Sequence, residues 1–157
     1  MGVQKKNINK ICNFYINEWH LVTAILPYVA KLVEEKEEII VYCENSINQN
    51  IEIVLSRINI KEETKEKIKK INFGMSKVDK IEFKKDLSII VSGSEDYIKE
   101  INIEIDNNIK NSSKEKKVRI INCYNISEKK INIKRILKSY KTLLKTSGEI
   151  SLKTNNV

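Results

Sequence analysis

The stretch IIVYC at residues 39–43 is an unbroken apolar run rich in β-branched side chains. Such a run is typical of a strand that is covered on both faces, which is the environment of a parallel sheet. Two runs of the same character follow, LSIIV at residues 87–91 and VRIINCY at residues 118–124. A shorter apolar stretch at residues 11–16 precedes them. These four segments predict the strands at the centre of the fold.

Between these strands, apolar residues recur at spacings of three and four, the pattern of helices that bury one face. The first helix is predicted to begin after the capping residue Asn17 and to run to about Glu35, and Pro27 is predicted to kink or weaken it. The charged residues 61–70 are predicted to form a surface helix or loop, and residues 69–73 a short edge strand. Three further helices are predicted over residues 47–58, 94–111 and 133–145. The alternation of strand and helix predicts an α/β three-layer sandwich with a mostly parallel sheet.

The length of the chain, 157 residues, is that of one domain, and no segment rich in proline, glycine or serine divides it. We expect a single domain at residues 10–145, between a basic tail at residues 1–9 and a polar tail at residues 146–157. No apolar run reaches the roughly 18 residues needed to span a bilayer. The basic, polar start also lacks the apolar segment of a secretory signal. These features predict a cytoplasmic protein.

The three cysteines, Cys12, Cys43 and Cys123, are widely separated, and each lies in a predicted strand. Structural zinc sites need closely spaced cysteine pairs, and the chain has none. We therefore predict buried, reduced thiols. No metal or other cofactor is predicted.

The net charge of +8 raises the possibility of a nucleic-acid partner. Much of this charge is interleaved with glutamate, as at residues 61–67, which is typical of a solvated surface. The predicted last helix is more one-sided and carries the basic residues Lys134, Arg135, Lys138, Lys141 and Lys145. Its basic face is interpreted either as a solvated surface or as a contact to a nucleic-acid backbone or an acidic partner.

Motifs for nucleotide binding are missing from the chain. A P-loop needs the pattern G-x-x-x-x-G-K-[ST], whereas the residues after Ile16 are Asn-Glu-Trp-His. The dinucleotide fingerprint G-x-G-x-x-G is absent as well. We therefore predict a protein that is not an enzyme.

Ser-Gly-Ser at residues 92–94 is the best candidate for an anion site at a helix N-terminus, but the acidic Glu95 and Asp96 favour a simple turn and helix cap.

Aromatic residues concentrate in the first strand–helix–strand unit, and several of them are predicted at the carboxyl edge of the sheet. Open α/β sheets bind their ligands at that edge. An apolar pocket with hydroxyl groups is a common ligand site, so the predicted ligand-binding residues are Tyr15, Trp19, His20, Tyr42 and Glu44. The alternative is ordinary core packing of the aromatic rings, with His20 as a surface or structural residue.

Three segments of the first 45 residues resemble the start of the MEDS domain, the sensory domain of methanogens, methylotrophs and the regulator DcmR. They are ICNFY at residues 11–15, LPYVA at residues 26–30, and IIVYCE at residues 39–44 after Glu37. Lys10 stands where that family usually has histidine, and two glycines of the family's turn are replaced, at Leu32 and Lys36. The chain therefore resembles a divergent member, and the similarity covers about a quarter of its length.

The resemblance implies a RecA/KaiC-like core without a P-loop, in a domain that senses small molecules or signals. In the family this domain often accompanies histidine kinases or DNA-binding domains. The resulting hypothesis is a stand-alone, non-catalytic sensory or regulatory module. It would bind a small molecule or a protein partner and act through a separate histidine kinase or transcription regulator. The alternative is a basic nucleic-acid-binding protein that uses the C-terminal helix.

Overall fold

The computed structural model describes residues 8–109, 116–127, 131–145 and 148–152. Within these residues the chain forms six strands and five helices. In chain order they are β1 (Ile8–Tyr15), α1 (Glu18–Glu34), β2 (Glu38–Cys43), α2 (Asn48–Leu55), α3 (Glu62–Lys69), β3 (Leu87–Gly93), α4 (Glu95–Ile109), β4 (Val118–Asn125), α5 (Ile133–Leu137), β5 (Thr142–Lys145) and β6 (Gly148–Ser151).

The strands form one sheet in the order β2-β3-β4-β1-β5-β6. The first five strands are parallel to one another, and β6 pairs antiparallel with β5. Helices flank the sheet, so the predicted α/β three-layer architecture with a mostly parallel sheet is confirmed. Strand β1 lies between β4 and β5 and pairs with both of them.

Two apolar cores lie on opposite faces of the sheet, because successive side chains of a strand point to opposite sides. On the face that we call the α1 face, helices α1, α2 and α3 cover strand residues such as Ile11 and Ile121. On the other, the α4 face, helices α4 and α5 cover residues such as Ile89 and Ile120. Each layer of helices is therefore packed on its own apolar cluster.

Helix α1 begins after Asn17, as predicted, and its capping side chain accepts a hydrogen bond from the backbone of His20. It runs without interruption through Pro27. Pro27 therefore does not end the helix. Pro27 is exposed, so the backbone bond that proline removes is lost on the solvent side, where water can replace it.

The C-terminal part differs from the prediction. Helix α5 ends at Leu137, and the residues expected to continue it up to position 145 turn away and form β5. Strand β5 then occupies the side of β1 that β4 leaves free, which satisfies backbone groups that would otherwise be unpaired. Residues 148–151, expected in a polar tail, form β6; residues 1–7 of the predicted basic tail lie outside the described residues.

Residues 69–73, predicted to form an edge strand, contain the end of α3 and a turn. The backbone of Phe73 is held by the start of α2 instead of by a strand. Its N–H donates to Asn48 Oδ1 at 2.8 Å, and its carbonyl accepts from the N–H of Ile47 at 3.1 Å.

Among the residues that the structure describes, no helix has both the length and the apolar character needed to cross a bilayer.

Candidate functional site

The five residues predicted to line one pocket do not converge on one cavity. Tyr15 is buried on the α1 face and Tyr42 on the α4 face, with 4% and 3% of their surfaces exposed. Strands β3 and β4 also separate β1 from β2. The sheet therefore lies between the two tyrosines, and both rings pack in the core.

The exposed pair Trp19 and His20 lies at the start of α1. The indole of Trp19, one of the predicted ligand-binding residues, is half exposed. The ring of His20 accepts a hydrogen bond at Nδ1 from the backbone N–H of Ile16 at 3.1 Å. His20 therefore holds the turn between β1 and α1, which is the structural role that the sequence allowed for it.

Glu44 is engaged at the N-terminus of α4. Its Oε1 accepts a hydrogen bond from the backbone N–H of Ser94 at 2.8 Å, and Ser94 Oγ accepts from the N–H of Tyr97 at 3.2 Å. A carboxylate at a helix N-terminus is favoured by the helix dipole. The Ser-Gly-Ser turn is therefore the capped start of α4. The anion bound at this helix N-terminus is the carboxylate of Glu44.

The five basic residues of the nucleic-acid alternative do not share one helical face. Lys134 and Arg135 lie in α5, and Lys138 is its C-terminal cap. Arg135 is paired with Glu95 at 2.7 Å across the start of α4. Lys141 and Lys145 lie beyond the helix, with Lys145 at the end of β5. The continuous basic helix on which this alternative was built is thus replaced by a short helix and a strand.

The three cysteines are buried and free, and they lie in the strands as predicted. Burial raises the pKa of the Cys12 thiol to about 12 and that of Cys43 to about 11, and it also raises the pKa of Cys123. All three are therefore protonated at neutral pH and are poor nucleophiles. Within the described residues, no group of three or more histidine, cysteine, aspartate or glutamate side chains is placed to hold a metal ion.

These buried thiols predict a loss of stability in alkaline solution. An unfolded thiol ionises above its ordinary pKa of 9.0, whereas folded Cys12 keeps its proton until about pH 12. The stabilisation is therefore complete below pH 9.0 and is lost as the pH rises towards 12. We expect the urea midpoint to fall between about pH 8 and about pH 10.5, and to fall less in Cys12→Ser.

Serine at position 12 differs from cysteine only in the replacement of sulfur by oxygen, and it does not titrate in this range. The same fall in both proteins would show that Cys12 does not contribute to the alkaline destabilisation.

A chain of polar contacts crosses the α1 face and ends at the outer strand of the sheet. Arg119 on β4 pairs with Glu37 at 3.2 Å and donates to Tyr28 Oη at 3.2 Å. Tyr28 on α1 donates in turn to Glu149 Oε2 on β6 at 3.0 Å. Ser88 Oγ donates to Glu37 Oε1 at 3.2 Å and so fixes the far end of the chain. We call Glu37, Arg119, Tyr28 and Glu149 the polar relay.

The pKa values within the polar relay agree with these donors and acceptors. Burial raises the pKa of Tyr28 to about 12, and the neighbouring Glu149 adds to the rise against the opposing effect of Arg119. Burial opposes the charge of Arg119, but the bond to Tyr28 and the nearby carboxylates of Glu37 and Glu149 outweigh it, so its pKa is raised. At neutral pH, Tyr28 is therefore a neutral hydroxyl between a cation and an anion.

A cleft of about 740 Å³ opens beside the polar relay, along α1 and next to β5 and β6. Its basic side chains are Lys31, Arg119 and Lys145, and its acidic side chains are Glu35 and Glu149. We call it the α1–β6 cleft, and its lining residues are Ala24, Pro27, Tyr28, Lys31, Glu35, Arg119, Leu144, Lys145, Gly148 and Glu149. It is an open concavity that is lined mainly by polar and charged groups.

Sequence reasoning did not assign this site. Tyr28 belongs to the aromatic residues of the first strand–helix–strand unit, and Glu149 lies in the segment expected to be a polar tail. One local signal was present. Arg119 is the charged residue within the apolar run at residues 118–124, and a charge inside a buried strand needs a partner.

Comparisons with protein-family models, with curated proteins and with solved structures found no match to this chain. The MEDS resemblance therefore stays a prediction that rests on the residues that carry it.

Proposed function

We propose that this chain is a non-catalytic regulatory module that binds a small molecule in the α1–β6 cleft. The polar relay is the observation that carries the proposal. It brings Tyr28, Arg119 and Glu149 together from three distant parts of the sequence and lines one side of an open concavity. Ligand sites in proteins generally combine such a concavity with a few fixed polar groups.

The position of the cleft suits a protein that passes on a signal. Strands β5 and β6 have four residues each, and they form the outer edge of the sheet. Tyr28 on α1 contacts this edge through Glu149. A ligand that changes this contact changes the position of the β5–β6 edge relative to α1, and a separate partner protein reads that surface. A histidine kinase or a transcription regulator is the class of partner that the MEDS resemblance implies.

Two features support a role without catalysis. The sequence contains no P-loop and no dinucleotide fingerprint. The thiols of Cys12, Cys43 and Cys123 are buried and kept protonated, which removes the usual reactive form of cysteine.

The test is a thermal-shift screen of the purified chain with organic acids, amines, sugars, nucleosides and duplex DNA. A ligand at about 100 times its Kd adds about 2.7 kcal/mol to stability, so even weak binding raises the melting temperature. Pro27 is exposed and lines the cleft. We expect Pro27→Trp to fill the cleft and to abolish the shift produced by any of these small molecules.

Ile53→Trp is the matched control, because Ile53 is an exposed residue of α2 and does not line the cleft. This variant should keep the full ligand-induced shift. If the shift persists in Pro27→Trp, or if only DNA stabilises the chain, the assignment of the α1–β6 cleft as a small-molecule site is wrong.

A further inference from the structure

Glu149 differs from the other members of the polar relay because its residue is exposed and belongs to the outermost strand. Its carboxylate reaches into the α1–β6 cleft and accepts the hydrogen bond of Tyr28 at 3.0 Å. Arg119 lies directly behind that hydroxyl and is fixed by Glu37 at 3.2 Å. A carboxylate supplied by the chain's own edge strand is thus bound by a phenol whose hydroxyl also accepts a hydrogen bond from a guanidinium.

We propose that Glu149 occupies the place of a ligand carboxylate, and that the α1–β6 cleft takes a small carboxylate-bearing molecule that displaces the Glu149 side chain from Tyr28. The proposal rests on the proposed function, since it names the ligand class and the internal competitor of the same site.

The charges of the cleft support an anionic ligand. When the Glu149 side chain points into the solvent, Glu35 is the one carboxylate left among the residues that line the cleft. The basic lining residues are then Lys31, Arg119 and Lys145. A guanidinium has five N–H donors, and the bonds to Tyr28 and Glu37 are those that Arg119 makes with the described side chains. Donors are therefore left for a planar carboxylate, the group whose geometry a guanidinium matches.

The displacement costs little. The contact of Glu149 with Tyr28 is one hydrogen bond between an exposed carboxylate and a buried phenol, and a ligand carboxylate that takes its place accepts an equivalent bond from the same hydroxyl. The tethered carboxylate nevertheless competes with a free ligand, because its attachment to β6 gives it a high effective concentration at the site. Removal of the Glu149 carboxylate should therefore strengthen the binding of an external carboxylate.

Calorimetric titration with succinate tests this proposal in the wild type, Glu149→Ala and Glu35→Ala. The last two variants remove the same charge from the same cleft, but Glu149→Ala alone leaves the Tyr28 hydroxyl without its carboxylate partner. We expect succinate to bind Glu149→Ala about fivefold more tightly than Glu35→Ala, a modest factor that suits an exposed competitor. Adding Tyr28→Phe to Glu149→Ala should cancel the gain.

Succinamide at equal ionic strength and inorganic phosphate are the reference probes. Equal succinate affinity in the two variants, a gain that survives Tyr28→Phe, or tighter binding of phosphate or succinamide than of succinate would overturn the carboxylate assignment. If a neutral molecule binds and Pro27→Trp abolishes that binding while succinate fails, the proposed function stands and this inference falls. If Pro27→Trp leaves all binding intact, both fall.

Discussion

Replacement of Gly93 by alanine is expected to lower the free energy of unfolding by about 3 kcal/mol, through backbone strain and overpacking together. Gly93 ends β3 with a φ of +153°, a conformation that side-chain-bearing residues rarely adopt. An added Cβ would lie 2.7 Å from Glu44 Oε1 and 2.8 Å from Tyr97 Cδ2. The clash would push Glu44 away from the N-terminus of α4, and urea unfolding followed by circular dichroism measures the loss.

Gly148→Ala separates the two causes. Gly148 also has a positive φ, +119°, but among the described residues beyond its chain neighbours no atom lies within 4 Å of an added Cβ. This variant should cost only the backbone term, about 1 kcal/mol. Equal losses in the two variants would mean that the close contacts of the added Cβ with Glu44 and Tyr97 cost nothing beyond the backbone strain.

Replacement of Asn122 by leucine is expected to cost about 3 kcal/mol, because it removes three hydrogen bonds of a buried network and takes away the donor to Asn102 Oδ1. Asn122 on β4 is 1% exposed, and its amide is paired with that of Asn102 on α4 at 2.9 Å. It also donates to the hydroxyl of Tyr140 at 2.9 Å, and that hydroxyl is bonded to the hydroxyl of Tyr124 at 2.5 Å. Leucine fills a similar volume, so denaturant unfolding of this variant reports the lost polar contacts.

The double variant Asn102→Leu and Asn122→Leu provides the control. Removing both partners leaves fewer unpaired groups than removing each alone, so its cost should be clearly smaller than the sum of the two single costs. Additive costs would contradict the view that the two amides act as one buried pair.

Local sequence patterns predicted the layers of this fold well. The apolar runs at residues 39–43, 87–91 and 118–124 correspond to β2, β3 and β4, because a strand covered on both faces has no room for solvated side chains. The prediction that the C-terminal helix continues up to residue 145 was wrong, because β5 forms there. Leu143 and Leu144 lie on opposite faces of the sheet, and in so short a segment a strand's alternation is not distinguishable from a helix's spacing.

Local sequence patterns could not predict the candidate site. Its polar relay joins residues 28, 37, 119 and 149, and only the strand order makes them neighbours. The pocket predicted from aromatic composition placed Tyr15 and Tyr42 together, although β3 and β4 lie between their strands. Alternation of strands and helices does not determine strand order, so neither result follows from spacing alone.

The position of β1 in the sheet has a consequence for how the chain folds. Both neighbours of β1 come late in the sequence, since it pairs with residues 118–125 of β4 and, at Cys12, with Leu143 of β5. During synthesis the first strand must therefore wait, with Ile11 and Tyr15 uncovered by a neighbouring strand, until most of the chain has left the ribosome. Closing so long a loop before any pairing is gained slows the search for the native sheet. The apolar residues of β1 are the ones that a nascent-chain chaperone would have most reason to shield.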